Sequence, residues 1–224
     1  MAGILYIVST PIGNLADITL RAIKTLKEVD LILAEDTRHT RILLKHYEIE
    51  KPLISFFEFN EQKRIPEIID KLRSGAKIAQ VTDAGTPLIS DPGFKLVRKA
   101  IEAGIEVEPI PGPSAALAAL TASGMPTDKF LFLGYLPKSA GKSEKLLKNA
   151  QKILEIQKMT IILFESPHRL VKTLTKIKDV FGDIEIAVCR ELTKIHQEIR
   201  REKVRESLEH FAKVKPKGEF TLVF

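Results

Sequence analysis

Apolar residues arrive along this chain in short bursts, separated by longer stretches in which they recur at helical spacing. GILYIVS opens as a nearly continuous apolar strand, and Pro11, Gly13 and Asn14 mark a turn after it. The periodicity then predicts a helix over Thr19–Glu28, a strand in VDLILAED, a helix in TRHTRILLKHY and a short strand near PLISFFE. It continues with a helix over Asn60–Ser74, the strand AKIAQVT, a helix over Gly93–Ala103 and the strand IEVEPI. Strands that alternate with helices and are apolar on both faces predict a parallel sheet covered by helices on each side.

Pro111-Gly112-Pro113 interrupts this rhythm, so residues 1–112 and 113–224 are expected to form two α/β domains. The Ala-rich SAALAALTASG reads as a helix stopped by Gly124 and Pro126, followed by the strand FLFLGYL, the polar loop KSAGKSE and a helix to Gln157. MTIILFE, a helix over Pro167–Phe181 and IEIAVCR come next. IHQEIRREKV alternates weakly, as an edge strand does, and GEFTLVF follows a short helix around Leu208–Ala212. Strands in succession without a helix between them predict a mixed second sheet.

At 224 residues with 44% apolar and 29% charged side chains, the composition is that of a folded globular chain. The longest apolar runs fall far short of the roughly 20 residues that cross a bilayer, so no membrane partner is expected. The N-terminus lacks the basic stretch and apolar run of a secretory signal, which points to the cytoplasm. Cys189 lies in a strand and reads as a small buried apolar side chain. His39 and His46 share a helix face, but no spacing of His and Cys suits a metal, and none is expected. Charge is uneven. Residues 1–112 hold 15 Lys and Arg against 16 Asp and Glu, whereas residues 113–224 hold 20 against 13, an excess that suits a polyanionic partner.

Ligands of open parallel sheets bind beyond the C-terminal ends of the strands, and four of those loops are unusual: STPIGN, AEDTRHTR, TDAGTPLISDPG and PGPSAA. None is a glycine-rich phosphate cradle, so a ligand without phosphates fits better. In the third loop Asp91-Pro92-Gly93 reads as the cap of the following helix, which leaves Asp83-Ala84-Gly85-Thr86-Pro87 for ligand contact. Ser114 reads as a helix N-cap beside the same region.

Taken together, ILYIVSTPIGNLADIT, LAEDTRHTRILL, VTDAGTPLISDPG, PGPSAALAALTASGMPTDKFLFLGYLP, FESPHR, CRELTK and KGE resemble the tetrapyrrole methylase family across nearly the whole chain. Gly85-Thr86-Pro87 stands where the family more often has Gly-Asp-Pro, as in its rRNA-methylating branch. The resemblance implies a homodimer of two-domain subunits that bind S-adenosylmethionine in a cleft between the domains. It implies methylation of a cytidine ribose 2′-hydroxyl in the decoding region of small-subunit rRNA. It also places Ile12, Gly85, Thr86, Ile89, Ser114, Ala115, Phe164, Glu165, Leu192 and Thr221 at the cofactor. A proton acceptor for the hydroxyl is sought among Asp36, Glu165 and His168, each of which follows a strand. Arg38, His39 and Arg41 are the expected RNA-backbone contacts. The alternatives are a same-fold methylase acting on a tetrapyrrole or a modified translation-factor side chain, and a non-enzymatic RNA-binding protein.

Overall fold

The structure, a computed structural model, describes residues 3–224, and the chain divides into two compact units, one ending at Ser114 and the other beginning at Ala115. In the first unit the elements are β1 (Ile4–Val8), α1 (Leu20–Glu28), β2 (Leu31–Ala34), α2 (Thr37–His46), β3 (Leu53–Ser55), α3 (Glu61–Arg73), β4 (Lys77–Val81), α4 (Phe94–Glu102) and β5 (Glu106–Ile110). The strands form a five-stranded parallel sheet in the order β3-β2-β4-β1-β5. Each face buries its own cluster. Ile32, Ala34, Ala79 and Val81 point toward Ala22, Leu26, Leu43 and Leu44 of α1 and α2. Leu31, Leu33 and Ile78 point toward Ile68, Leu72, Leu96 and Ala100 of α3 and α4. This two-sided burial is why the strands read as unbroken apolar runs.

Helix ends follow local chemistry. The Thr19 side chain accepts a hydrogen bond from the Ala22 N–H at 3.1 Å and starts α1, while Asn60 and Ser74 flank α3. The start of α4 corrects an expectation: Gly93 is its N-cap, with no side-chain hydrogen bond, and Asp91 does not cap it.

The second unit contains α5 (Ala115–Ser123), β6 (Phe130–Tyr135), α6 (Ala140–Ile156), β7 (Thr160–Glu165), α7 (Leu170–Phe181), β8 (Glu185–Arg190), β9 (Glu198–Lys203), α8 (Val204–Lys213) and β10 (Phe220–Val223). Its sheet runs β6-β7-β10-β8-β9, with β6 and β7 parallel and the other neighbours antiparallel. β9 lies at an edge. One face packs Leu163, Val188, Phe220 and Leu222 against Leu147, Leu174 and Phe211 of α6, α7 and α8. α5 lies against β7, β8 and β10, its alanines permitting close approach. Two bounds differ from expectation. α7 begins at Leu170 because Ser166–Arg169 forms a turn in which Arg169 N–H and Leu170 N–H both donate to the Ser166 carbonyl at 3.1 Å. α8 is longer than Leu208–Ala212, because Glu206 accepts from the Lys203 N–H at 2.8 Å and starts it a turn earlier.

Candidate functional site

In the first sheet, β2 sends its connection to β3 at one edge, and its neighbour β4 sends its connection to β5 at the other. Divergence of adjacent connections opens a crevice at the strands' C-terminal ends, the usual ligand position in such sheets. The loops around it are joined by hydrogen bonds. Thr10 and Gly85 exchange two main-chain bonds, at 2.9 and 3.0 Å, and the Thr10 hydroxyl donates to the Thr82 carbonyl at 3.1 Å. The Thr86 hydroxyl donates to the Pro113 carbonyl at 3.1 Å, and Ser9 Oγ donates to Thr86 Oγ1 at 3.2 Å. Gly85 has φ of 87°, and a Cβ there would stand 3.3 Å from Ile12 Cγ2. Ile12, Gly85, Thr86 and the residue before Ser114 are thus brought into one patch from three separate loops. Ile89 stands on the same loop and is exposed.

Four carboxylates line the crevice. Thr82 donates to Glu35 Oε2 at 2.8 Å, and Asp83 Oδ1 accepts from the Asp36 N–H at 3.0 Å. Asp36 caps α2, accepting from the Arg38 N–H at 2.8 Å, and forms a forked pair with the Arg38 guanidinium whose shortest contact is 2.6 Å. Those hydrogen bonds hold the Asp36 carboxyl well below the usual range, which makes it a poor proton acceptor. Asp91 behaves oppositely. Burial, followed by the charges of Glu35 and Asp83, pushes it up to about 6, against a hydrogen bond with Thr82. Sequence reasoning missed Asp91, because a cap is a local reading and its actual neighbours come from β2 and β4.

The far end of the same loop is held by residues that no motif singled out. Gln80, buried on β4, donates from Nε2 to the Pro92 carbonyl at 2.8 Å. Glu61, buried at the start of α3, accepts from the Gly93 N–H at 3.2 Å and pairs with Lys95 at 2.9 Å. Gly93 has φ of 125°, and a Cβ there would lie 2.0 Å from Gln80 Nε2. Between the bonded Gly85-Thr86 and this far end, Leu88 and Ser90 hold positive φ of 72° and 67°, which costs about 1–3 kcal/mol each. Such conformations persist only where the surrounding structure over-determines them, as the bonds at both ends of this loop do.

In the second unit, Phe164 and Thr221 face each other in register across β7 and β10, and Phe164 makes edge-to-face contacts with Phe132 and Tyr135 at 4.9 and 5.7 Å. Leu192 lies between Glu191 and Thr193, both at positive φ, in a turn where Glu191 Oε1 accepts from the Glu219 N–H at 2.9 Å and pairs with Lys194 at 3.0 Å. Ala115 is the first residue of α5. The Glu165 carboxylate is fully buried and occupied: it accepts from the Ser166 N–H at 2.7 Å and the Thr173 hydroxyl at 2.5 Å, and pairs with Arg169 at 3.5 Å. These donors and its complete burial make it the anchor of the Ser166–Arg169 turn. His168 projects from that turn and is exposed. Burial raises the Cys189 thiol to about 11, so it remains an inert core side chain. No group of three or more potential metal ligands occurs among the described residues, and no described helix is long and apolar enough to cross a membrane.

The expected RNA contacts all stand exposed within the first five residues of α2. Arg38 is engaged by Asp36, His39 is exposed, and Arg41 lines a surface groove with Lys45 and Lys51.

Compared with known proteins, residues 4–207 match the sequence pattern of the tetrapyrrole (corrin/porphyrin) methylases. The chain belongs to that family. The ribosomal RNA small subunit methyltransferase I of Thermotoga maritima is 53% identical over 221 residues, 99% of this chain and 97% of that one. Its counterpart in a Synechocystis strain is 49% identical over 99% of this chain and 78% of its own length. Among solved structures, a cobalt precorrin-4 methyltransferase superposes with a TM-score of 0.71 at 19% identity, covering 98% of this chain and 94% of that one, which shows a shared fold.

Proposed function

We propose that this methylase transfers a methyl group from S-adenosylmethionine to small-subunit rRNA, at the ribose 2′-hydroxyl of a cytidine in the decoding region. The observation that carries the reading is the 53% identity, over almost the full length of both chains, to a protein named ribosomal RNA small subunit methyltransferase I. The chemistry of the first unit's crevice supports the cofactor. Its loops offer main chain, hydroxyls and the carboxylates of Glu35, Asp83 and Asp91, but no phosphate cradle. Such a donor set suits a ligand with a sulfonium, an ammonium and sugar hydroxyls. Gly85, Thr86 and Ile12 would hold it, with Ile89, Ser114, Ala115, Phe164, Leu192 and Thr221 assigned by family resemblance.

When bound, S-adenosylmethionine supplies an electrophilic methyl group, so the protein's task is to align the hydroxyl and exclude water. The hydroxyl's proton must also be accepted. Asp36 is held too acidic and Glu165 is buried as the anchor of its turn, which favours the exposed imidazole of His168 as the acceptor, through a ring nitrogen. The same reading assigns the protein to the cytoplasm as a homodimer, for which light scattering should give twice the subunit mass.

Methyl transfer to isolated small ribosomal subunits, with the modified nucleotide mapped, tests the whole reading. Thr86→Arg should abolish calorimetric S-adenosylmethionine binding while the fold persists. Undiminished affinity would remove the DAGTP loop from the cofactor site.

A further inference from the structure

Residues 138–178 hold ten Lys and Arg against three Asp and Glu, whereas the other 183 residues hold 25 against 26. The chain's entire positive excess therefore falls in one segment, composed mainly of α6, β7 and α7. Along α6 the buried positions are Ser143, Leu147 and Ala150, so Lys142, Lys145, Asn149 and Lys152 recur at intervals that place them together on the opposite, exposed face. Of its two acids, Glu155 follows Lys152 by three residues without pairing with it, and Glu144 lies elsewhere. Glu144 pairs with Lys148 at 2.7 Å, on the side where Gln151 reaches the Val180 carbonyl of α7.

A solvated helix face is the ordinary explanation of such lysines, and other helices of this chain show what that looks like here. Lys24 pairs with Glu28 on α1, Arg64 and Lys71 with Glu67 on α3, Arg98 and Lys99 with Glu102 on α4, and Arg205 with Glu209 on α8. Lys142, Lys145 and Lys152 have no such carboxylate among the described residues. One of them also stands against the helix dipole. The first turn of α6 has no acidic residue, Ser139 makes no capping bond, and Lys142 lies in that turn at the positive end, where cations are disfavoured. Gly141, in that first turn, meets nothing within 4 Å at its Cβ position, so packing does not require a glycine there. The dipole opposes Lys142, and neither pairing nor packing accounts for Lys142, Lys145 and Lys152. A polyanion with regularly spaced charges does.

We infer that the exposed face of α6, carrying Lys142, Lys145 and Lys152 with Lys138 at its head, docks the sugar–phosphate backbone of the rRNA substrate. This inference rests on the proposed rRNA methylation and names the surface that reading leaves open. Phosphate contacts position RNA without reading its sequence and release counterions, so they register as salt dependence.

The test is RNA binding by the full chain to a small-subunit rRNA fragment across a salt series, comparing wild type with Lys142→Glu/Lys145→Glu/Lys152→Glu. Affinity should fall at least tenfold, and the slope of log affinity against log salt should shrink by about 2–3, at roughly 0.7–0.9 per phosphate contact. In methylation assays KM for the RNA should rise, with kcat and the KM for S-adenosylmethionine unchanged. A Lys→Gln version of the triple variant, which removes charge without reversing it, should show the same changes at smaller size and serves if the reversal impairs folding. Wild-type RNA affinity and salt slope in the variants would overturn the inference, as would dissociation of a homodimer with RNA binding intact, which would make this face a subunit contact. Failure of the wild-type chain itself to bind S-adenosylmethionine or methylate rRNA would overturn the underlying reading instead.

Discussion

Asp91 is the group whose surroundings make the sharpest claim about stability. Its carboxyl moves from 3.8 to about 6, chiefly through burial and then through the nearby charges of Glu35 and Asp83. In full, a shift of about 2 units corresponds to about 3 kcal/mol. Partial exposure screens the neighbouring charges, so about 1–2 kcal/mol is the expectation. Because the folded chain holds this proton more tightly than the unfolded chain, the group's contribution is most favourable below about pH 4. It is lost as pH rises toward about 6 and stays flat above that. Asp91→Asn keeps a polar partner for Thr82 and cannot ionise. Urea unfolding of both proteins at several pH values between about 4 and 7 should therefore give equal stabilities at the acid end, with the variant ahead by about 1–2 kcal/mol at neutrality. The difference isolates this one carboxyl from all others in the chain. A difference that does not change with pH would refute the reasoning, and a variant less stable at pH 7 would reverse it.

Gly93→Ala should lose at least about 2 kcal/mol in urea unfolding, since the new methyl meets Gln80 Nε2 and the backbone is at φ of 125°; a loss below half a kcal/mol would show that the loop accommodates it. Glu61→Ala, which deprives the Gly93 N–H and Lys95 of their partner, should weaken S-adenosylmethionine binding several-fold, and Glu61→Gln should restore part of it, because Gln keeps an acceptor. Arg38→Ala should leave the urea midpoint almost unchanged, the pair being at the surface, and joint replacement of Arg38 and Arg41 by Ala should lower rRNA affinity in a filter-binding assay; wild-type affinity would remove the start of α2 from the RNA path.

Much of the architecture is legible in the sequence because local and tertiary preferences agree. LILA reads as strand and is buried on both faces, and the polar residues flanking α1 and α3 stand at or within a residue of their ends. The unusual loops also announce themselves, since prolines and glycines at strand ends have few ordinary structural uses. What stays hidden is each polar residue whose meaning lies in a partner remote in the chain. Glu61 looks like a favourable acid in a helix's first turn until the Gly93 N–H, 32 residues away, is found on it. Asp91 looks like a cap until Thr82 and Glu35 surround it, and Glu165 looks available until Thr173 and Arg169 fill its oxygens.

The order of strands in the first sheet also bears on how the chain is made. β1 is synthesised first, yet it pairs with β4 and β5, Ile4 standing beside Lys77 and Glu106. At translation speeds of about 5–20 residues per second, the segment ILYIV waits several seconds for its first partner and longer for its second. During that interval it is an unpaired apolar strand, bonded to nothing that will flank it in the finished sheet. Chaperone demand during synthesis should therefore fall sharply once β5 has left the ribosome, and nascent chains stalled before that point are the ones expected to aggregate.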